Sequence, residues 1–396
     1  MKSGIDKGLV KVLKKEAKQG NLDSLYSLGF EYYFDYDKLE VREDEKLRKK
    51  GFVIMKKAAD MGCTKAQLQI AKIYKDNHNI EECLKYYNKA AELGDEDAIR
   101  ILCDIYERGV IVERDLDKFQ FWCKKLENSK DPYNKTFLAD RFEYFSDEFA
   151  NHERAMDLYK QAAEEGDYLA LEHLYDYYYD KLVKGEEDKE IIINDDGKKV
   201  NKGLLRIQLE EKMLYYLEKL VEKERDSKYF TFIGIYYVEH NDYRAFKYLT
   251  KARKMEEIER RGYADTIFGL GRCYESGIGT QVDLEKAYEH YYNLAKRGTS
   301  LNDFSQVYGF AMEKVGDFYY DGKVVEKDYD KAVTWYYAAS QGKIASAEYK
   351  LGKCYEEGKG CKQDLEKADE YYKLAAEHGS NEAKNRLYMS ELTIIV

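Results

Sequence analysis

Apolar and polar positions follow a helical period along most of this chain, and one short phrase recurs nine times. Its order is small residue, three variable residues, aliphatic, Gly or another small residue, two variable residues, aromatic. The sharpest copy runs from Ala347 through Leu351 and Gly352 to Tyr355, and Ala311, Val315, Gly316 and Tyr319 repeat it. Earlier copies centre on Gly271, Gly234, Tyr175, Ala139, Cys103, Ala71 and Gly29. Most are about 36 residues apart, a period that signals stacked helical hairpins.

Each phrase opens a first helix. After Tyr106, Tyr274, Tyr319 and Tyr355 a glycine follows three residues later, at Gly109, Gly277, Gly322 and Gly358, suited to the left-handed turn that ends a helix. Nine residues after each tyrosine stands an aspartate, Asp115, Asp283, Asp328 or Asp364, placed to cap a second helix through its free N–H groups. That second helix carries close-approach alanines and an aromatic, as in Ala368, Tyr371, Tyr372, Ala375 and Ala376 before Gly379. Trp122 and Trp335 occupy its aromatic place, which assigns them to packing rather than to a ligand.

The expected architecture is therefore an all-α solenoid of about nine helix-turn-helix repeats with a cover at each end. Residues 1–20 form a capping half-repeat, 21–180 the N-terminal repeats, 205–262 divergent middle repeats, 263–382 the C-terminal repeats and 383–396 a closing helix. Residues 181–204, rich in Lys, Glu and Asp, interrupt the series as a charged loop or, around Asp196-Gly197, a small hairpin. Smaller insertions are expected at 35–48 and 299–308.

Composition changes this picture little. One proline in 396 residues agrees with a helical chain, and the 39 tyrosines fit a fixed aromatic place in each repeat. A formal charge of −10 opposes a phosphate backbone, so nucleic acid is not expected as a partner. The charged start lacks a secretory apolar run and no stretch approaches a membrane span, so a cytoplasmic protein is expected. The seven cysteines lack the two-residue spacing of a zinc or redox motif and read as small buried hydrophobes in a reducing compartment.

Catalytic patterns are missing from the sequence. His152-Glu153 has Met156 where a zinc-protease helix needs histidine, and the other histidines are scattered among repeats. Gly269-Leu270-Gly271 lies within a predicted helix, and neither it nor Gly277-Ile278-Gly279 has the strand and Gly-Lys-Ser/Thr of a phosphate loop. No enzyme activity, cofactor or metal is expected.

The chain resembles Sel-one-like repeat proteins of the tetratricopeptide superfamily. The resemblance rests on Ala-x-x-x-Leu-Gly-x-x-Tyr-x-x-Gly at 347–358, Asp-x-x-Lys-Ala at 328–332 and 364–368, and Ala-Ala-x-x-Gly at 375–379. It is strongest in the last three copies and weaker where Phe142 and Tyr175 replace the usual Tyr and Gly. It implies a right-handed α-α superhelix acting as an adaptor or scaffold.

If first helices line a concave face, positions three before and one, four and five after the central small residue should share it. Fifteen of these residues are acidic: Asp76, Asp104, Glu107, Asp140, Glu143, Glu172, Asp176, Asp180, Glu239, Glu275, Glu313, Asp317, Asp321, Glu356 and Glu357. Six are basic: Lys72, Lys75, Arg100, Arg108, Arg272 and Lys353. Such a groove steers a basic or amphipathic protein segment, although any exposed face of an acidic helical protein has a similar composition. The first copy offers Tyr26, Phe30, Tyr33 and Phe34 as aromatic anchors, unless the following insertion folds over them. Tyr179 and Tyr320 complete the expected contact set.

The leading expectation is a non-catalytic protein-binding scaffold, monomeric with oligomers left open. Alternatives are an immunity or inhibitor protein that neutralises one basic effector or toxin, and an enzyme with a cryptic site in the groove.

Overall fold

The computed structural model describes residues 7–34, 41–144, 151–184, 191–193, 199–259, 263–301, 303 and 306–394. They divide into two compact units, residues 1–173 and 174–396.

In the first unit a lone helix, α1 (Lys7–Lys18), precedes four antiparallel pairs: α2 (Leu22–Phe34) with α3 (Val41–Asp60), α4 (Thr64–Asp76) with α5 (Ile80–Glu92), α6 (Glu96–Arg108) with α7 (Leu116–Leu126), and α8 (Pro132–Tyr144) with α9 (His152–Glu164). Helix α10 (Tyr168–Lys184) begins in this unit and ends in the second.

A two-stranded antiparallel ribbon follows, with β1 (Ile191–Ile193) paired to β2 (Lys199–Asn201) so that Ile192 faces Val200. Next come α11 (Lys202–Glu222), then α12 (Ser227–Glu239) with α13 (Arg244–Glu259), α14 (Ala264–Ser276) with α15 (Leu284–Leu301), α16 (Gln306–Asp321) with α17 (Tyr329–Ser340), α18 (Ala345–Glu357) with α19 (Leu365–Glu377), and the closing α20 (Asn381–Ile394). The α10 and α11 rings Tyr178 and Tyr216 stack 5.8 Å apart at 4°.

The chain is thus an all-α repeat solenoid with one small ribbon. That ribbon, with the end of α10 and the start of α11, occupies the charged stretch expected at 181–204. The insertion expected at 35–48 is partly helix, because α3 begins at Val41; residues 35–40 lie outside the described set. Of the stretch expected at 299–308, residues up to Leu301 end α15 and Gln306 opens α16, while 302, 304 and 305 lie outside the described set.

The turns within hairpins repeat nearly atom for atom. Gly109, Gly277, Gly322 and Gly358 take φ of 63°, 74°, 71° and 65°, the left-handed region where a β-carbon is costly. The backbone N–H of each following aspartate then donates back to the phrase tyrosine's carbonyl, at 3.0 Å for Asp115, 2.9 Å for Asp283, 3.0 Å for Asp328 and 2.9 Å for Asp364. Each carboxylate accepts from the backbone N–H three residues on, at 3.0 Å from Lys118, Lys286, Lys331 and Lys367. Each cap therefore starts a second helix and fixes its hairpin to its own first helix.

In the α14–α15, α16–α17 and α18–α19 pairs, packing between the two helices rests on a glycine and its partner twenty positions later. A β-carbon on Gly271, Gly316 or Gly352 would lie 2.6, 2.6 or 2.8 Å from a ring carbon of Tyr291, Tyr336 or Tyr372. These tyrosines are almost fully buried, so the glycine makes the recess that the ring fills. In α6 and α7 the same two places hold Cys103 and Cys123, whose sulfurs lie 3.6 Å apart as free thiols. Two small side chains replace an absent one and a large one.

Candidate partner-binding site

The buried tyrosine's hydroxyl reaches out of the hairpin and donates to a carboxylate on the first helix. Tyr159 donates to Asp140 at 2.7 Å, Tyr291 to Glu275 at 2.8 Å, Tyr336 to Asp317 at 2.8 Å and Tyr372 to Glu356 at 2.8 Å. Aspartate serves one residue after the small centre and the longer glutamate four after it, one helical turn further along. Burial is the main reason that the hydroxyls of Tyr291, Tyr336 and Tyr372 titrate above the usual tyrosine range, and the adjacent carboxylates add to it.

The same carboxylates meet a basic side chain from the next first helix. His173 lies 3.4 Å from Asp140, Lys314 is 2.9 Å from Glu275, Lys350 is 2.7 Å from Asp317 and Arg386 pairs with Glu356. All four stand two residues before the central position of their repeat, Arg386 being in the closing helix. Lys350 also reaches Glu313 at 2.6 Å. Burial works to lower the Lys350 pKa, but Asp317 and Glu313 outweigh it and hold the ammonium above its ordinary value. In α8, Arg141 performs the role from another position: it pairs with Asp104, lies 3.4 Å from Glu107, and covers the Phe137 ring at 3.7 Å.

Much of the acidity assigned to the groove is therefore wired into repeat joints. Asp104, Glu107, Asp140, Glu275, Glu313, Asp317 and Glu356 all hold a basic side chain of the following repeat. Glu143 lies 2.8 Å from His152 of α9. The position three before the centre is the least open: Thr136, Thr231 and Glu313 are buried between neighbours. The acids furthest along each first helix, Asp76, Asp180, Glu239, Asp321 and Glu357, are exposed. Three of them pair at short range: Asp180 with Lys184, Asp321 with Lys323 at 2.9 Å and Glu357 with Lys359 at 2.7 Å, the Tyr320 hydroxyl of α16 also bonding Glu357.

The aromatic candidates are brought together in the first unit. On α2, Tyr26 and Phe30 lie 5.7 Å apart, Phe30 and Phe34 4.5 Å, and Tyr33 and Phe34 4.8 Å. Phe30, Tyr33 and Phe34 border a cleft of about 260 Å³ against Ile73 and Asp76 of α4. Arg48 donates to the Tyr33 hydroxyl at 3.2 Å and stacks over its ring, while Phe34 remains 43% exposed. In the second unit Asp176 is exposed, Tyr179 is 45% exposed, and the half-buried Tyr320 accepts from Lys359 at 3.2 Å.

Spacing alone missed the place two residues before each centre. It holds His173, Lys314, Lys350 and Arg386 at four joints and also Phe232, which is 44% exposed on α12. The recurrence of Lys314 and Lys350 at this place was the available signal.

Among the described residues no group of three or more His, Cys, Asp or Glu could hold a metal ion, and no helix is long and apolar enough to cross a membrane. The Sel1 repeat family model matches residues 22–63, 70–95, 138–167, 227–256, 264–299, 309–343 and 345–380, together more than half of the chain. The chain belongs to the Sel1 repeat family, whose members are generally non-catalytic protein–protein interaction scaffolds.

Among solved structures it is similar to a Sel1 repeat protein from Oxalobacter formigenes, at 22% identity over 96% of this chain and 89% of that chain, with a TM-score of 0.37. It is also similar to a protective antigen of uropathogenic Escherichia coli displaying an SLR fold (18%, 96% and 90%, TM-score 0.49). Helicobacter pylori cysteine rich protein B matches over 36% of this chain and 91% of its own, at 25% identity and a TM-score of 0.26. Comparison with curated proteins gives no match.

Proposed function

We propose that this chain is a non-catalytic scaffold or adaptor whose first helices hold a basic or amphipathic segment of another protein. The observation that carries the reading is the division of labour on those helices. Acids near the helix centre are committed to joints, while rings and acids toward the helix end stay open: Phe34 with Asp76 in the first unit, and Tyr179 with Asp180 in the second.

The short-range partners of Asp180 and Asp321 support it. Exposed ion pairs contribute about 0–1 kcal/mol, so a partner's cation can replace them at small cost. Half-exposed aromatics anchor protein interfaces because they bury a large area with few rotatable bonds.

The test is recovery of partners on the tagged chain from its native cell at low and high salt, beside Asp321→Lys/Glu357→Lys and Phe34→Ala variants. The reading expects a defined partner whose recovery falls with salt and with each variant. Equal recovery from wild type and both variants overturns it.

A further inference from the structure

Several turns that join one repeat to the next place a glycine in the left-handed region: Gly62, Gly94, Gly166 and Gly379 have φ of 96°, 86°, 91° and 108°. Between α17 and α18 the glycine comes one residue early, and Lys343 takes the left-handed place at φ 57°. A residue with a β-carbon is disfavoured there, and such residues gather at functional sites.

Lys343 lines a cleft of about 440 Å³ that runs from this turn to the one between α19 and α20. Phe310 of α16 and Ile344 give it apolar surface, and His378 and Glu382 line its far side. Nδ1 of His378 lies 2.8 and 2.9 Å from the two oxygens of Glu348, which is 2% exposed. In α8–α9 the corresponding residues, Lys135 and Glu165, are paired with the charges reversed, so the tie itself belongs to the hairpin. At 378 the tie also fixes an imidazole whose Nε2 has no partner among the described residues. Burial raises the Glu348 pKa while His378 and Lys343 act against it, so the lysine's charge lies beside the pair. Lys343 itself makes no ion pair among the described residues.

An ammonium and an imidazole edge bordering one partly apolar cleft suit a carboxylate, since both donate to it when charged. A dianion is opposed by Glu348 behind the histidine and by Glu382, which accepts from Ser380 at 3.1 Å. We infer that this cleft is a carboxylate-binding site in which Lys343 and His378 Nε2 hold one ligand carboxylate. The inference stands apart from the scaffold reading. Its carboxylate comes from an acidic side chain of a bound segment or from a small organic acid, and the choice of probe separates the two.

The experiment labels histidine rings and isoleucine methyls of the full chain with carbon-13 and follows His378 and Ile344 by NMR. The probes are sodium acetate and a capped alanine peptide with one central glutamate, against sodium chloride and the matching glutamine peptide at equal ionic strength. Acetate and the glutamate peptide should both shift the two signals saturably. A peptide held about five-fold more tightly than acetate assigns the site to a side chain, and equal or weaker peptide binding to a small acid. Lys343→Gly should weaken acetate binding about three-fold, the scale of an exposed ion pair, and raise the denaturation midpoint because glycine relaxes the turn. His378→Gln, read at Ile344, should weaken it to a similar extent. Lys85→Met on α5 should change nothing. Equal shifts from acetate and chloride, or full acetate affinity in both Lys343→Gly and His378→Gln, overturn the inference.

Discussion

A β-carbon on Gly316 would stand 2.6 Å from Cε1 of Tyr336, in a hairpin where that ring is 2% exposed and its hydroxyl donates to Asp317 at 2.8 Å. Recess, ring and carboxylate form one device. The glycine admits the ring, the buried ring aims its hydroxyl, and the carboxylate gathers Lys350 from the next repeat.

Gly316→Ala should therefore destabilise the protein although alanine is the better helix former. The helical gain is about 1 kcal/mol, against about 1–3 kcal/mol for overpacking beside a ring that cannot retreat. Chemical denaturation should show a net loss in Gly316→Ala and recovery when Tyr336→Leu is added. A stabilised Gly316→Ala protein would show that the ring moves aside freely.

The Cys103 and Cys123 pair makes a complementary exchange testable. Cys103→Gly alone should leave a void, and Cys123→Tyr alone should collide with the Cys103 sulfur, because the two sulfurs are already 3.6 Å apart. Together they rebuild the glycine–tyrosine pair, with Asp104 placed as Asp317 is to accept the new hydroxyl. Denaturation midpoints should give a favourable coupling of about 1–3 kcal/mol for the double variant, the range for residues in contact. Additive losses would contradict the equivalence of the two positions.

Lys350→Met keeps the stem but leaves Glu313 and Asp317 facing each other without their shared cation. Ser346 still bonds Glu313 and Tyr336 still bonds Asp317, so losing the shared charged partner costs roughly 1–3 kcal/mol. Hydrogen exchange should speed up in α16 and α18 and stay unchanged in α12. Uniform protection in the variant would mean that the joint does not depend on the ion pair.

Acid should weaken the second-helix caps. Hydrogen bonds hold the carboxyls of Asp115, Asp283 and Asp328 below their ordinary 3.8: for the first two chiefly from the side chains of Lys118 and Lys286, for Asp328 chiefly from the backbone N–H of Lys331. A folded-state pKa depressed below the unfolded value stabilises fully above that value and is lost as pH falls through the folded one. Buried Glu348 and half-buried Glu107 and Asp317, whose pKa values desolvation raises, contribute in the opposite direction. Asparagine caps nearly as well without titrating, so a triple Asp→Asn variant at 115, 283 and 328 should lose less thermal stability than wild type below about pH 4. An identical acid limb in both would exclude the caps as its source.

The repeat, its period, the Gly turns and the Asp caps were legible in sequence because each is a local solution recurring at fixed spacing. The α6–α7 hairpin, outside the residues the family model matches, was still placed by its phrase, Gly109 and Asp115. Less legible was which first-helix side chains meet the next repeat. That depends on the offset between neighbouring helices, which a single helix's periodicity does not contain. Glu313 is consequently buried and Lys350 committed, while Phe232, two residues before its centre, is open. The β1–β2 ribbon was an available reading of Asp196-Gly197 between Ile193 and Val200, but the charge around it favoured a loop.

The most direct test of a partner on the first helices is a photo-crosslinking scan in the native cell. Benzoylphenylalanine would replace Phe34, Tyr179, Phe232 and Asp321 on first helices, and the exposed Phe121, Tyr215 and Tyr337 on second helices. The account predicts adducts of one defined mass from the first group and none from the second. Adducts confined to the second-helix positions would contradict it.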